Sequence, residues 1–367
     1  MHGSYRADSQ ACHRVLNQRG DLHMQASSQS ETGASNSSDL AGRVRALAPM
    51  LADADPRVRK SAVIALGRMG CPEATRELCA CLDDRVEGVR VLACQALGRA
   101  ADPASIPALL ARVHDESAEV RAGILWALAN VVAHGNPTDE VRRALFSPIV
   151  VMAFDPDDGV RADAAAVLGS LRDPRCADAL AVLLEDGQPR VRANACASLG
   201  LLDDAAGFEA LLAVAENPSE DPLVLVSALD GLARRAERGG PGHEDPQADR
   251  AVKAVCALTR LPEGPRSSSP EGTSAADVRA TAAWALGLMA PLAPGCGAAA
   301  VEVLADSLDN GDSWTQRYAI EALARIHNEE ARLILDTWAK RLEAEGRVAD
   351  EDTARVLRQA LETFEAR

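Results

Sequence analysis

Aromatic side chains are scarce in this chain of 367 residues: Phe, Tyr and Trp together make up 3% of it. Lysine is almost absent, with only Lys60, Lys253 and Lys340 against 36 Arg. No apolar run reaches 18 residues, which speaks against a membrane-spanning helix. The opening stretch MHGSYRADSQACHRVLNQRG has no continuous apolar core, so a secretory signal is not expected and the cytoplasm is the expected location. The nine Cys are odd in number and scattered, which does not resemble a disulfide framework. No Cys-x-x-Cys pair supplies zinc-ligand spacing, so free thiols are expected, with no metal and no cofactor. A net charge of −15 disfavours nucleic acid, because phosphate binding draws on clustered Lys and Arg.

What the chain does have is Ala, Leu and a recurring phrase. Residues 57–67 read RVRKSAVIALG, 88–98 read GVRVLACQALG, and 119–129 read EVRAGILWALA. With the Val as position zero, copies fall at Val58, Val89, Val120, Val160, Val191, Val224 and Val278, with degenerate copies at Thr315 and Thr353. Spacings of 31–54 residues predict a repeat array. Position +4 is mostly Ala and position +8 is Leu throughout, from Leu66 to Leu361. Positions zero, +4 and +8 share one face of a helix. Position +9 is Gly at residues 67, 98, 169, 200 and 287, read as close approach near a helix end. A shorter amphipathic stretch precedes each phrase, as in PEATRELCACL (72–82), and an acidic turn such as DADP (53–56) lies between. Each unit therefore reads as helix, acidic turn, helix, with Asp or Ser capping the second helix. The expected fold is all-α: a solenoid of about nine stacked antiparallel helix pairs.

Position +1 is Arg at Arg59, Arg90, Arg121, Arg161, Arg192 and Arg279. The reading is structural: each Arg reaches the acidic turn of its own or the neighbouring unit, and together they form a ladder of charge-assisted hydrogen bonds. The pattern D-x-x-x-V-R-x-x-A-x-x-A-L-G resembles HEAT repeats over residues 40–367. More narrowly, it is similar to the HEAT-like repeats of phycobilisome (bilin) lyase subunits. That resemblance implies, as an alternative function, handling of a tetrapyrrole chromophore on a phycobiliprotein. HEAT-like deoxyhypusine hydroxylases hold two irons with repeated His-Glu pairs; the single pair here, His243-Glu244 in a Gly/Pro-rich stretch, does not meet that need. HEAT-like DNA glycosylases use a basic groove, which the acidic balance disfavours.

Two regions depart from the repeat. Residues 1–38, with QASSQSETGASNSSD at 25–39, read as a disordered polar tail ahead of a solenoid over 39–367. Residues 261–277, LPEGPRSSSPEGTSAAD, read as a mobile loop insertion. If zero, +4 and +8 face the core, +6 is the most exposed position, flanked by +3 and +10. These positions carry Trp126, Trp284 and Asp230 (+6), Tyr318 (+3), and Arg68, Arg99, Asn130, Arg234 and Arg325 (+10). Trp and Arg are typical binding anchors. The expectation is a non-catalytic scaffold, not an enzyme, whose concave second-helix surface takes a protein or peptide partner. The expected state is a monomer or a complex with that partner.

Overall fold

The computed structural model describes residues 35–202, 204–239, 247–264, 267, 272–293, 295–345 and 350–365. Most of the expected tail, the His243-Glu244 pair and residues 265–266 and 268–271 of the expected loop lie outside the described residues.

Among the described residues there are eighteen α-helices and no strand, and they follow the repeat pair by pair. The first pair is α1 (Ser35–Leu47) and α2 (Pro56–Gly67), and the second is α3 (Pro72–Ala80) and α4 (Glu87–Ala100). Next come α5 (Ile106–Leu110) with α6 (Ala118–His134), and α7 (Asp139–Met152) with α8 (Asp158–Leu171). Then follow α9 (Cys176–Leu183) with α10 (Pro189–Leu199), and α11 (Ala205–Ala215) with α12 (Pro222–Gly239). The last three pairs are α13 (Ala248–Leu258) with α14 (Ala275–Met289), α15 (Gly297–Asn310) with α16 (Ser313–Ile326), and α17 (Glu329–Ala344) with α18 (Glu351–Glu365). The chain divides into two compact units at Val167/Leu168.

The periodicity places the core as expected. The +8 Leu residues from Leu66 to Leu323 are at most 2% exposed, and so are the +4 residues from Ala62 to Ala319. Burying one such Leu contributes about 2 kcal/mol. Several turns cap the helix that follows: Asp55 accepts from the Arg57 amide, Ser117 from Val120, Asp157 from Val160, and Asp312 from Thr315. Ser274 and Asp277 form a reciprocal capping box on α14.

The connection read as a mobile loop is anchored at several points. Leu261 O and the Glu263 carboxylate are held by Arg279, the buried Ser267 amide donates to Thr273 O at 2.7 Å, and residues 275–277 already belong to α14. The first described helix begins at Ser35, inside the segment read as tail.

The +9 glycines act at helix crossings more than at helix ends, since Gly98 and Gly287 sit inside their helices. Each faces position +7 of the next second helix. A Cβ on Gly67 would lie 2.7 Å from Ala96 Cβ, one on Gly169 2.6 Å from Ser198 Cβ, and one on Gly287 2.7 Å from Ala322 Cα. Gly200 meets Gly231 in the same way. Position +7 is small almost throughout (Ala65, Ala96, Ala127, Ser198, Gly231, Ala285, Ala322 and Ala360), with Val167 the exception. At these crossings adjacent second helices leave no room for a methyl group.

Candidate functional site: the turns and edges of the second helices

The acidic turns have a fixed geometry. In five repeats an Asp five residues before the Val folds its own turn by accepting the amide two residues on. Asp53 accepts from Asp55, Asp84 from Val86, Asp115 from Ser117, Asp155 from Asp157, and Asp186 from Gln188, at 2.8–3.0 Å. The main-chain oxygen of the same Asp takes Nη1 of its own repeat's +1 Arg. Arg59, Arg90, Arg121, Arg161 and Arg192 make this bond at 2.8–3.0 Å.

The other edge of the guanidinium reaches forward. In the unit before the division, Arg59 grips Asp84 with two bonds of 2.7 and 2.8 Å, and Arg121 grips Asp155 with two of 2.7 Å. Arg90 makes a single 2.9 Å bond to Asp115 and leaves its buried Nε unpartnered. In the other unit Arg192 reaches Glu220 at 2.5 Å, also with Nε orphaned. Arg279 turns instead to the connection inside its own repeat.

Burial alone would raise the Asp84 carboxyl, but the Arg59 hydrogen bond, the Val86 amide and the charges of Arg59 and Arg85 hold it below the usual range. Asp155 is lowered against the same burial effect by Arg121, the Asp157 amide and Arg161. The two Arg are raised in turn, first by these hydrogen bonds. Charges matched this tightly, with donors and acceptors saturated, are structural struts rather than acids or bases poised for transfer.

The surface expected to bind a partner is arranged differently from its sequence reading. Trp126 is half-buried, not the most exposed residue: its ring lies where a Cβ on Gly98 would be. Trp284 is half-buried too. Asp230 is 8% exposed and receives Arg234 Nε at 2.7 Å, four residues on. Both are thus occupied with each other, which removes Asp230 from an open surface. Asn130 is half-buried and donates to Trp126 O at 2.8 Å. Arg325 and Tyr318 are half-buried, and only Arg68 and Arg99 of the expected set are exposed. The physical reason is the seam: with small residues at +7 and +9, neighbouring helices come close enough to cover position +6.

The residue that sequence reasoning missed is Trp314. Its ring is 53% exposed at the start of α16, with the Arg317 guanidinium carbon 3.8 Å from the ring centroid and Tyr318 at 6.2 Å, centroid to centroid. It sits at position −1, beside +3 on the helix, so the spacing to Tyr318 was the available signal.

The thiols are quiet. Eight described Cys are free, and burial pushes Cys81 and Cys94 up to about 12 and Cys176 and Cys256 up to about 11. Among the described residues no group of three or more His, Cys, Asp or Glu is placed to hold a metal, and no helix is long and apolar enough to cross a membrane.

These repeats define a class of protein by themselves. The profile of HEAT repeats matches residues 44–144 and 148–235, just over half of the chain, and the chain belongs to that family. No curated protein sequence matches it significantly. Among solved structures, a Kap121p mutant matches with a TM-score of 0.58 at 14% identity, over 89% of this chain and 39% of that one. An engineered protein matches at 0.46 and 23% identity over 88% of each chain. Human deoxyhypusine hydroxylase in complex with glycerol matches at 0.33 and 18%, over 90% of this chain and 99% of that one. The Kap121p likeness shows the α-solenoid fold and nothing more specific.

Proposed function

We propose that this chain is a non-catalytic scaffold that binds a protein or peptide along the edges of its second helices, without a cofactor and without nucleic acid. The observation supporting this reading is Trp314. An aromatic ring more than half exposed contributes little to packing, and here a cation on its face and a second ring beside it hold it in place. Ordered exposed Trp with flanking Arg is the composition of an interface hot spot. Within the unit before the division, Arg68 and Arg99 are exposed cations suited to acidic groups.

The test is affinity capture from native lysate, followed by titration of the captured partner against purified Trp314→Ala. The residue is 53% exposed and its ring neighbours Arg317 and Tyr318 lie on its own helix, so the variant is expected to keep its helical circular dichroism. Loss of a hot-spot Trp of about 2 kcal/mol weakens Kd roughly thirty-fold. Unchanged Kd in Trp314→Ala and in an Arg68→Ala, Arg99→Ala double variant would sink the reading. The bilin alternative is separated by mixing the chain with a phycobiliprotein: a shift in the chromophore band would favour it over the scaffold.

A further inference from the structure

The two ends of the array are finished differently. On α18 the exposed residues include Arg355, Arg358, Gln359, Glu362 and Thr363, all polar. A polar face of this kind needs no further repeat to cover it. At the other end α2 exposes Arg57 and Ser61 but also Ile64. Position zero is at most 1% exposed from Val89 to Thr353, yet Val58 is half-buried. Position +7, which faces the preceding repeat, is at most 5% exposed at Ala96, Ala127, Ser198, Ala285, Ala322 and Ala360, yet Ala65 is half-buried. Ile64 and Met50 are 38% and 37% exposed. A cleft of about 550 Å³ opens there, lined by Leu40, Leu47, Ala65 and Met69 with Arg43 and Arg68.

Thirty-four residues precede Ser35 at this same end, slightly more than the 31-residue repeat. Their stretch 11–24, ACHRVLNQRGDLHM, holds Val15, Leu16, Leu22 and Met24, whereas 25–34, QASSQSETGA, has Ala as its only hydrophobic residue. Ten residues span at most ~35 Å, so the apolar stretch is within reach of the open flank. We propose that residues 11–24 cover the apolar flank of α1 and α2 and serve as the N-terminal cap of the array. Arg68 lines this cleft as well as the proposed partner surface, and exchange measured without a partner reads the cap alone.

The experiment is hydrogen exchange on the full chain, comparing wild type with a Leu16→Asp, Leu22→Asp variant. Exchange across 40–69 should accelerate roughly ten-fold or more in the variant, with α17 and α18 unchanged as a folding control. A Ser27→Asp, Ser28→Asp variant should match wild type. A photo-reactive residue at position 65 should cross-link to 11–24 within one chain. Unchanged exchange across 40–69 in the Leu variant would overturn the proposal. So would a cross-link between chains together with a concentration-dependent dimer, since a second copy would then be the cover.

Discussion

The repeats on the two sides of Val167/Leu168 are joined by different ionic links. On the first side the shielded links run through the turns: Arg59–Asp84, Arg90–Asp115 and Arg121–Asp155, with side chains 5–11% exposed, and Arg112–Asp83 adds one exposed link. On the second side Arg192–Glu220 continues this pattern, but position +1 becomes Leu225 and Gln316. The links then move to the first helices: Arg250 to Glu209 and Glu216, Arg260 to Asp306, and Arg341 to Asp309, with side chains 39–55% exposed. A shielded bidentate pair that also satisfies main-chain oxygens resists water and salt, whereas an exposed pair competes with both. The same repeat can thus be bridged by a specific strut or by an adaptable surface contact; the struts use Arg after the Val, although Arg279 shows that this Arg does not always form one.

The sharpest way to break this contrast is Arg121→Ala. It leaves Asp155 shielded without its cation and Asp115 O without a donor, and about 3 kcal/mol of stability should be lost. Urea denaturation followed by circular dichroism measures it, and a loss no larger than at an exposed pair would mean the ladder is ornamental. Next is Gly98→Ala, whose new methyl meets the Trp126 ring and, at 3.0 Å, Ala127 Cα. Overpacking of this kind costs about 1–3 kcal/mol, and Trp126 fluorescence should shift as the ring is displaced; an unchanged spectrum would place the ring elsewhere.

Acid should weaken the ladder only as pH falls below the ordinary carboxylate value. Asp84 and Asp155 sit below the ordinary carboxylate value in the folded chain, so their contribution is fully present above that value and is lost as pH falls through the lowered one. Asp155→Asn should flatten this acid limb, and an Asn variant with an unaltered pH profile would remove Asp155 as its source. The smallest effect is expected for Arg250→Ala, an exposed pair, where the urea midpoint should stay within measurement scatter. In ~1 M salt, where screening reaches ~3 Å, wild type and Arg250→Ala should become indistinguishable while Arg121→Ala stays apart.

Much of the fold was legible because its rules are local. Leu at +8 and Ala at +4 fixed the buried stripe, and the Val spacing set the number of helix pairs. The binding surface was less legible because exposure depends on how closely neighbours approach. That distance is set by Gly at +9 meeting a small residue at +7, two columns that work only across repeats. Treating each helix alone made Trp126 an open anchor, and pairing it with Gly98 makes it packing. Trp314 escaped notice because position −1 lies outside the stripe that defined the repeat.

The cysteines gain a use from their placement. Cys81, Cys94, Cys176, Cys196 and Cys296 are buried at different places along the chain, in first helices, second helices and turns, and none is paired. A thiol sealed in this way meets an alkylating reagent only when its own repeat opens. Timed labelling read by mass spectrometry would therefore give an opening rate for each segment, a chemical clock distributed along the array that reports which repeats unravel first.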